Sequence, residues 1–306
     1  MTQRIRGVLA PVITPFTRDY APDPKRFVRH CQWLLTHGCS GLAVFGTNSE
    51  ANSLSVAERM MLLEALVEAG VSPARLMPGT GCSALTDSVT LTAHAVKLGC
   101  AGVLMLPPFY YKAVSDEGLF RNFSEVIQRV GDERLQLYLY HFPQMSQVAI
   151  TLGLIDRLLT AYPRSIAGIK DSSGDWANTK SMLDRFAESG FDVFAGSESF
   201  LLDNLRHGGV GCITATGNVN PGPIDHVYRN WTTPRADQLQ AGINATRRAV
   251  QKVPMIAALK AIVARYSGDA DWMTVRPPLV ELTPAQLDGL FADLKALDFD
   301  MPDIRG

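Results

Sequence analysis

The chain has 306 residues, 46% of them hydrophobic, with 29 basic and 30 acidic side chains and a net charge of −1. It is long for one ordinary domain and apolar enough for a large core. The near-neutral balance leaves no electrostatic footprint for nucleic acid or an anionic membrane, and no apolar run approaches the ~20 residues of a membrane span. Arg4 and Arg6 precede a short apolar run that Pro11 and Pro15 interrupt, so no signal peptide is expected. The five cysteines are an odd number with no C-x-x-C pair, which suits reduced thiols in a cytoplasmic protein. The six histidines show no ligand spacing such as H-E-x-x-H, so no metal is expected.

In chain order, short apolar runs alternate with helical stretches. Val8 to Ile13 predicts a first strand, and a helix from about Pro24 to His37 stops at Gly38. Gly41 to Phe45 predicts the second strand, which ends at Gly46-Thr47-Asn48-Ser49-Glu50. Ser55 and Glu58 form a capping box, after which Val56, Met60, Leu63 and Val67 repeat at helical spacing until Gly70. A third strand is expected at about Arg75 to Pro78, running into Gly79-Thr80-Gly81, with a helix to Leu98 behind it. The fourth, Gly102 to Leu106, ends in Pro107-Pro108-Phe109-Tyr110-Tyr111, and a helix from about Asp116 to Val130 follows. The fifth, Leu135 to Tyr140, runs into His141-Phe142-Pro143, and Thr151 starts the next helix. The sixth ends at Lys170, and a helix from about Asp175 to Glu188 follows. Asp192 to Ala195 is the seventh and Gly211 to Ala215 the eighth.

The strands are continuously apolar, as parallel strands buried on both faces are. Eight βα units at roughly thirty-residue spacing, with glycine at helix exits, predict a closed (β/α)8 TIM barrel over an open doubly wound sheet. The barrel should occupy residues 1–220. Residues 221–306 lack strand signals and read as a C-terminal helical extension packed on the barrel, with a break at Pro254.

Catalytic residues of such a barrel stand at the C-terminal strand ends. Those ends read Thr14, Gly46-Thr47-Asn48, Gly79-Thr80-Gly81, Tyr110-Tyr111, Tyr140, Lys170, Gly196-Ser197 and Thr214: hydroxyls and glycines with one lysine. There is no carboxylate pair among them. Lysine closing a buried strand needs a partner or a task. One cation among neutral groups suits an amine that desolvation keeps uncharged, able to attack a ketone and form a Schiff base beside a phenol that carries protons.

Three motifs carry a family resemblance across the whole chain. Gly46-Thr47-Asn48-Ser49-Glu50 resembles a G-[ST]-x-G-E loop, Tyr140-His141-Phe142-Pro143 a Y-N-x-P motif, and Gly168-Ile169-Lys170-Asp171 a G-[IV]-K-[DE] motif. In this order they are similar to the dihydrodipicolinate synthase / N-acetylneuraminate lyase family of pyruvate-dependent class I aldolases. The resemblance implies that Lys170 forms the imine with pyruvate or another 2-oxo acid, without a cofactor. It implies that Tyr140 relays protons, that Thr47 passes them on, and that Thr47 with the Asn48 backbone N–H holds the carboxylate. Gly196 and Ile213 would line the pocket with their backbones. Tyr111 would serve a neighbouring subunit's relay, in a homotetramer built as a dimer of dimers. Three departures stand out. Ser49 replaces a glycine, which would strain the loop if positive φ were required there. His141 replaces asparagine and is expected to support or pack. Met145 stands where dihydrodipicolinate synthases carry an arginine for the aspartate semialdehyde carboxylate, and methionine offers no paired donors. A lyase or dehydratase acting on a 2-keto-3-deoxy sugar acid or a 4-hydroxy-2-oxo acid therefore fits better than 4-hydroxy-tetrahydrodipicolinate synthase. Two other readings stay open: a non-catalytic 2-oxo-acid-binding regulatory barrel, and a nicotinamide-dependent enzyme. The latter rests on Gly79-Thr80-Gly81-Cys82-Ser83-Ala84, which mimics a dinucleotide loop but lacks the acidic residue expected downstream.

Overall fold

A computed structural model of the chain describes residues 4–305. Seven parallel strands form one curled sheet: β1 (Gly7–Ala10), β2 (Gly41–Leu42), β3 (Val103–Met105), β4 (Leu137–His141), β5 (Ile166–Asp171), β6 (Asp192–Ala195) and β7 (Gly211–Ile213). Their order is β2-β1-β7-β6-β5-β4-β3. The helices that return the chain between strands are α1 (Pro24–Thr36), α2 (Val56–Glu68), α3 (Leu85–Lys97), α4 (Asp116–Val130), the single turn α5 (Pro143–Ser146), α6 (Leu152–Ala161), α7 (Trp176–Phe186) and α8 (Leu201–Arg206). The tail adds α9 (Pro221–Asn230), α10 (Ala236–Val250), α11 (Met255–Ser267) and α12 (Pro284–Ala296).

The expected third strand is not a regular strand. Pro73–Arg75 is a 3-10 turn, and residues 76–80 lie between β2 and β3 on isolated bridges, Leu42 to Leu76 and Gly79 to Leu104. Met77 N–H donates to Leu42 O at 2.8 Å and Gly79 N–H to Val44 O at 2.7 Å on one side; Leu104 N–H donates to Pro78 O at 2.9 Å on the other. Pro78 has no N–H and cannot complete a ladder, so the segment bridges its neighbours without pairing continuously. The sheet therefore has seven strands where eight were expected.

Helix boundaries follow local chemistry. Ser55 and Glu58 make the capping box that starts α2. Thr151 accepts from Leu154 N–H to start α6, and Pro254 separates α10 from α11. Apolar side chains divide into two clusters. The larger lies between sheet and helices, and the smaller fills the inside of the curl with Leu9, Ala43, Met77, Leu104, Tyr138, Tyr140, Phe194 and Ile213. A register irregularity at Leu137/Tyr138, opposite Ile166 and Gly168, sets Lys170 level with Tyr140 on one side and Phe194 on the other. Strand alternation then turns Lys170 inward with those two rings. No helix among the described residues is long and apolar enough to cross a membrane.

Candidate active site

Lys170 sits on β5 and is only 3% exposed. Its Nζ lies 4.2 Å from the centroid of the Tyr140 ring, and the Tyr140 hydroxyl is 3.3 Å from Thr47 Oγ1. Asp171, next in the chain, turns to the opposite face. Its carboxylate accepts from Ser173 N–H at 2.9 Å, Asn178 Nδ2 at 3.0 Å and Thr179 Oγ1 at 2.6 Å, so it serves α7 and not the lysine. A cavity of about 550 Å³ opens above, bordered by Lys170, Tyr140, Thr47, Asn48 and Gly196. At Gly196 a Cβ would meet Asp171 O at 2.6 Å, so only glycine lets the two strand ends approach this closely. Among the described residues no group of three His, Cys, Asp or Glu side chains could hold a metal.

Two of the seven expected site residues lie apart from this cavity. Ile213 is fully buried in the inner cluster with Tyr140 and Phe194, outside the cavity lining. Tyr111 is 71% exposed and packs edge-on against Tyr110, ring centroids 5.4 Å apart. A second cavity, about 440 Å³, lies between α1, α11 and the end of the chain around His30, Trp33 and Trp272, away from Lys170.

The loop after β2 departs from expectation in one respect. Ser49 is not the strained residue; left-handed φ falls on Phe45, at 60°, and on Glu50, at 55°. Ser49 is fully buried, its Oγ accepts from Gly46 N–H at 3.2 Å and donates to Val12 O, and its carbonyl accepts from Thr14 Oγ1 at 2.7 Å. Serine thus stitches the loop to the chain after β1. Glu50 is anchored from the tail. It pairs with Lys260, both side chains being 0% exposed, and its Oε2 accepts from Arg276 N–H at 2.9 Å. Lys260 also donates to Thr274 O at 2.7 Å, and burial, partly opposed by Glu50, lowers its pKa to about 8. This pair holds the loop carrying Thr47 and Asn48 against α11.

His141 behaves as a supporting residue. Burial holds its pKa below the ordinary value, with Asp171 opposing, and its Nδ1 accepts from Ile150 N–H at 3.0 Å. It fixes the loop through Met145 to the sheet. The Gly79-Thr80-Gly81 segment offers no phosphate cradle. A Cβ at Gly79 would meet Phe45 C at 2.8 Å, and one at Gly81 would meet Leu106 Cα at 2.9 Å. These glycines admit neighbouring backbone, and the space beside them is about 20 Å³, which removes the basis of the nicotinamide reading.

Arg247 is the group the sequence reading missed. It projects from α10 into the cavity wall, where Nη1 donates to Glu198 Oε2 at 2.7 Å and to Thr214 Oγ1 at 3.2 Å. Glu198 is 0% exposed and also accepts from the hydroxyls of Thr214 and Thr216. Its position on a helix of the tail, beside the exposed Arg248, gave no sign of this role; a search confined to strand ends passes over it.

The chain is similar to known proteins over nearly its whole length. Residues 4–297 match the Dihydrodipicolinate synthetase family. A protein of Chloroflexus aurantiacus described as an uncharacterized DapA-like lyase is 33% identical over 293 residues, 94% of this chain and 95% of that one. A 4-hydroxy-tetrahydrodipicolinate synthase of Rhizobium meliloti is 28% identical, covering 95% of this chain and 97% of its own. Dihydrodipicolinate synthase from Agrobacterium tumefaciens superposes with a TM-score of 0.88 at 29% identity, over 95% of this chain and 99% of that one. A prophage protein of the dihydrodipicolinic acid synthase family from E. coli K12, solved in complex with pyruvate, gives 0.86 at 27%, over 96% and 99%. The resemblance read from the three motifs is borne out: the chain belongs to the dihydrodipicolinate synthetase family, a family of lyases.

Proposed function

We propose that this protein is a Schiff-base-forming lyase that acts on pyruvate or another 2-oxo acid. The observation that carries the reading is the inward amine of Lys170 against the Tyr140 ring, with Thr47 in reach of that phenol. In this reading the Lys170 amine adds to the ketone carbon and water leaves, giving a protonated imine. A bond to the carbon chain then breaks, or forms in the reverse direction, with its electrons drawn toward the iminium nitrogen. Tyr140 takes or returns the proton at the reacting oxygen and Thr47 passes it on. The Thr47 hydroxyl and Asn48 N–H hold the carboxylate, while Gly196 shapes the wall beside Lys170 and Ile213 packs behind it in the inner cluster. Such a reaction uses no metal or cofactor.

The E. coli relative bound to pyruvate supports the choice of a 2-oxo acid. The relatives named 4-hydroxy-tetrahydrodipicolinate synthase favour a second reading, in which aspartate semialdehyde is the acceptor. We rank it below cleavage, condensation or dehydration of another 2-oxo acid, because Met145 supplies no guanidinium. We further propose a closed eight-unit barrel over 1–220, with 76–80 as its irregular member, and 221–306 as a helical extension packed on it. Tyr111, exposed in one chain, fits a residue lent to a second copy, as in a dimer of dimers. All five cysteines are free, which suits a cytoplasmic protein. Incubation with pyruvate and borohydride, followed by peptide mapping, should place the adduct on Lys170. An adduct on Lys260, or none with several 2-oxo acids, would remove the proposal and leave a binding barrel.

A further inference from the structure

The charges that border the cavity above Lys170 are already satisfied inside the protein. Arg247 is neutralised by the buried Glu198, and the Asp171 carboxylate is held by Ser173, Asn178 and Thr179. An anionic substrate end would meet a guanidinium whose charge the buried Glu198 carboxylate already balances. Around these groups the wall is apolar. Phe142, Met145, Phe200, Met255, Leu279 and Val280 line it, from α5 and the chain before it, from α11, from the chain before α8 and from the segment ahead of α12. Met145, Leu279 and Val280 are exposed at 60%, 37% and 71%, an apolar rim open to a ligand. Hydroxyl groups in this part come from Ser172 and Ser197, and Ser197 Oγ accepts from Ser199 N–H at 3.2 Å.

Resting on the lyase reading above, we propose that the substrate carries an uncharged, apolar group beyond C4. An aryl or branched alkyl substituent fits this wall; a polyhydroxylated or anionic chain does not. Each hydroxyl set against an apolar wall without a partner costs roughly tenfold in affinity. An apolar group gains from the same surface. In the condensing direction the Lys170 imine of pyruvate loses a C3 proton to the Tyr140–Thr47 relay to give the enamine. That carbon then attacks the aldehyde carbon, whose oxygen takes a proton from Tyr140. Hydrolysis of the new imine frees a 4-hydroxy-2-oxo acid and restores the amine.

The test uses the full chain with pyruvate and four aldehydes: benzaldehyde, isobutyraldehyde, glyceraldehyde and succinic semialdehyde. Borohydride trapping with pyruvate alone is run in parallel. The two apolar aldehydes are expected to exceed the other two in kcat/KM by about 10²-fold, two unmatched polar groups' worth. Met145→Arg should move the ratio of succinic semialdehyde to benzaldehyde up by at least about tenfold, since it restores paired donors. No pyruvate adduct on Lys170 overturns the lyase reading and this inference with it. An adduct on Lys170 with equal or reversed aldehyde preference, or no condensation with either apolar aldehyde, overturns this inference alone.

Discussion

Replacing Glu50 with glutamine tests how the tail holds the catalytic loop. Glu50 and Lys260 are both fully buried, and removing the carboxylate leaves the cation facing a neutral amide. Breaking a buried pair costs about 3–5 kcal/mol. The lower end applies, because Lys260 keeps Thr274 O at 2.7 Å and the Phe16 ring at 4.3 Å. The pH dependence separates charge from packing. Burial lowers the Lys260 pKa from 10.5 to about 8, and the attraction of Glu50 limits that fall. Without Glu50 the pKa drops further, so the variant's deficit is largest where the parent's lysine is charged. Urea unfolding should show a loss of about 3 kcal/mol at pH 6 that narrows as the pH rises toward about 8, where the parent's lysine also discharges. Glu50→Gln/Lys260→Met should recover much of the loss. Turnover should fall in the single variant, since Thr47 is three residues from Glu50 in the same loop. A deficit under about 1 kcal/mol, or one that is the same at pH 6 and pH 9, would refute the reasoning.

Three further outcomes follow from named groups. Tyr140→Phe should keep imine trapping at Lys170 but slow the bond-breaking step by ~10²–10⁴-fold, read in single-turnover assays; unchanged turnover would take the phenol out of the relay. His30 is buried between Trp33 and Trp272, and burial lowers its pKa from 6.5 to about 4. The unfolded chain binds this proton first, so stability should fall as pH drops from 6.5 toward 4, by up to about 3 kcal/mol, and His30→Phe should flatten that slope. Arg247→Met strands the Glu198 carboxylate and should cost about 3 kcal/mol in unfolding free energy, with Glu198→Gln on the same background recovering part of it; additive single effects would mean the pair is not coupled.

What the sequence by itself determined is local or periodic. Alternating apolar runs and helical stripes set the βα order, because burial on both faces and a 3.6-residue repeat leave different patterns. The caps at Ser55 and Thr151 and the break at Pro254 were legible because each involves neighbours in the chain. Lys170 and Tyr140 were readable as partners because each stands near the end of its own strand, and parallel pairing sets them level. Tertiary structure decided what depends on distant partners. Arg247 meets Glu198 across 49 positions, and Arg276 reaches Glu50 across 226, so neither window of sequence contains its own explanation. Ser49 appeared strained until the chain after β1 supplied Val12 O and Thr14 Oγ1 as partners. The segment at 76–80 lost strand status to Pro78, whose missing N–H matters only once neighbours lie on both sides. The apolar wall likewise exists only where α5, α11 and the segment before α12 converge, since no one of them presents a surface large enough to select a substrate.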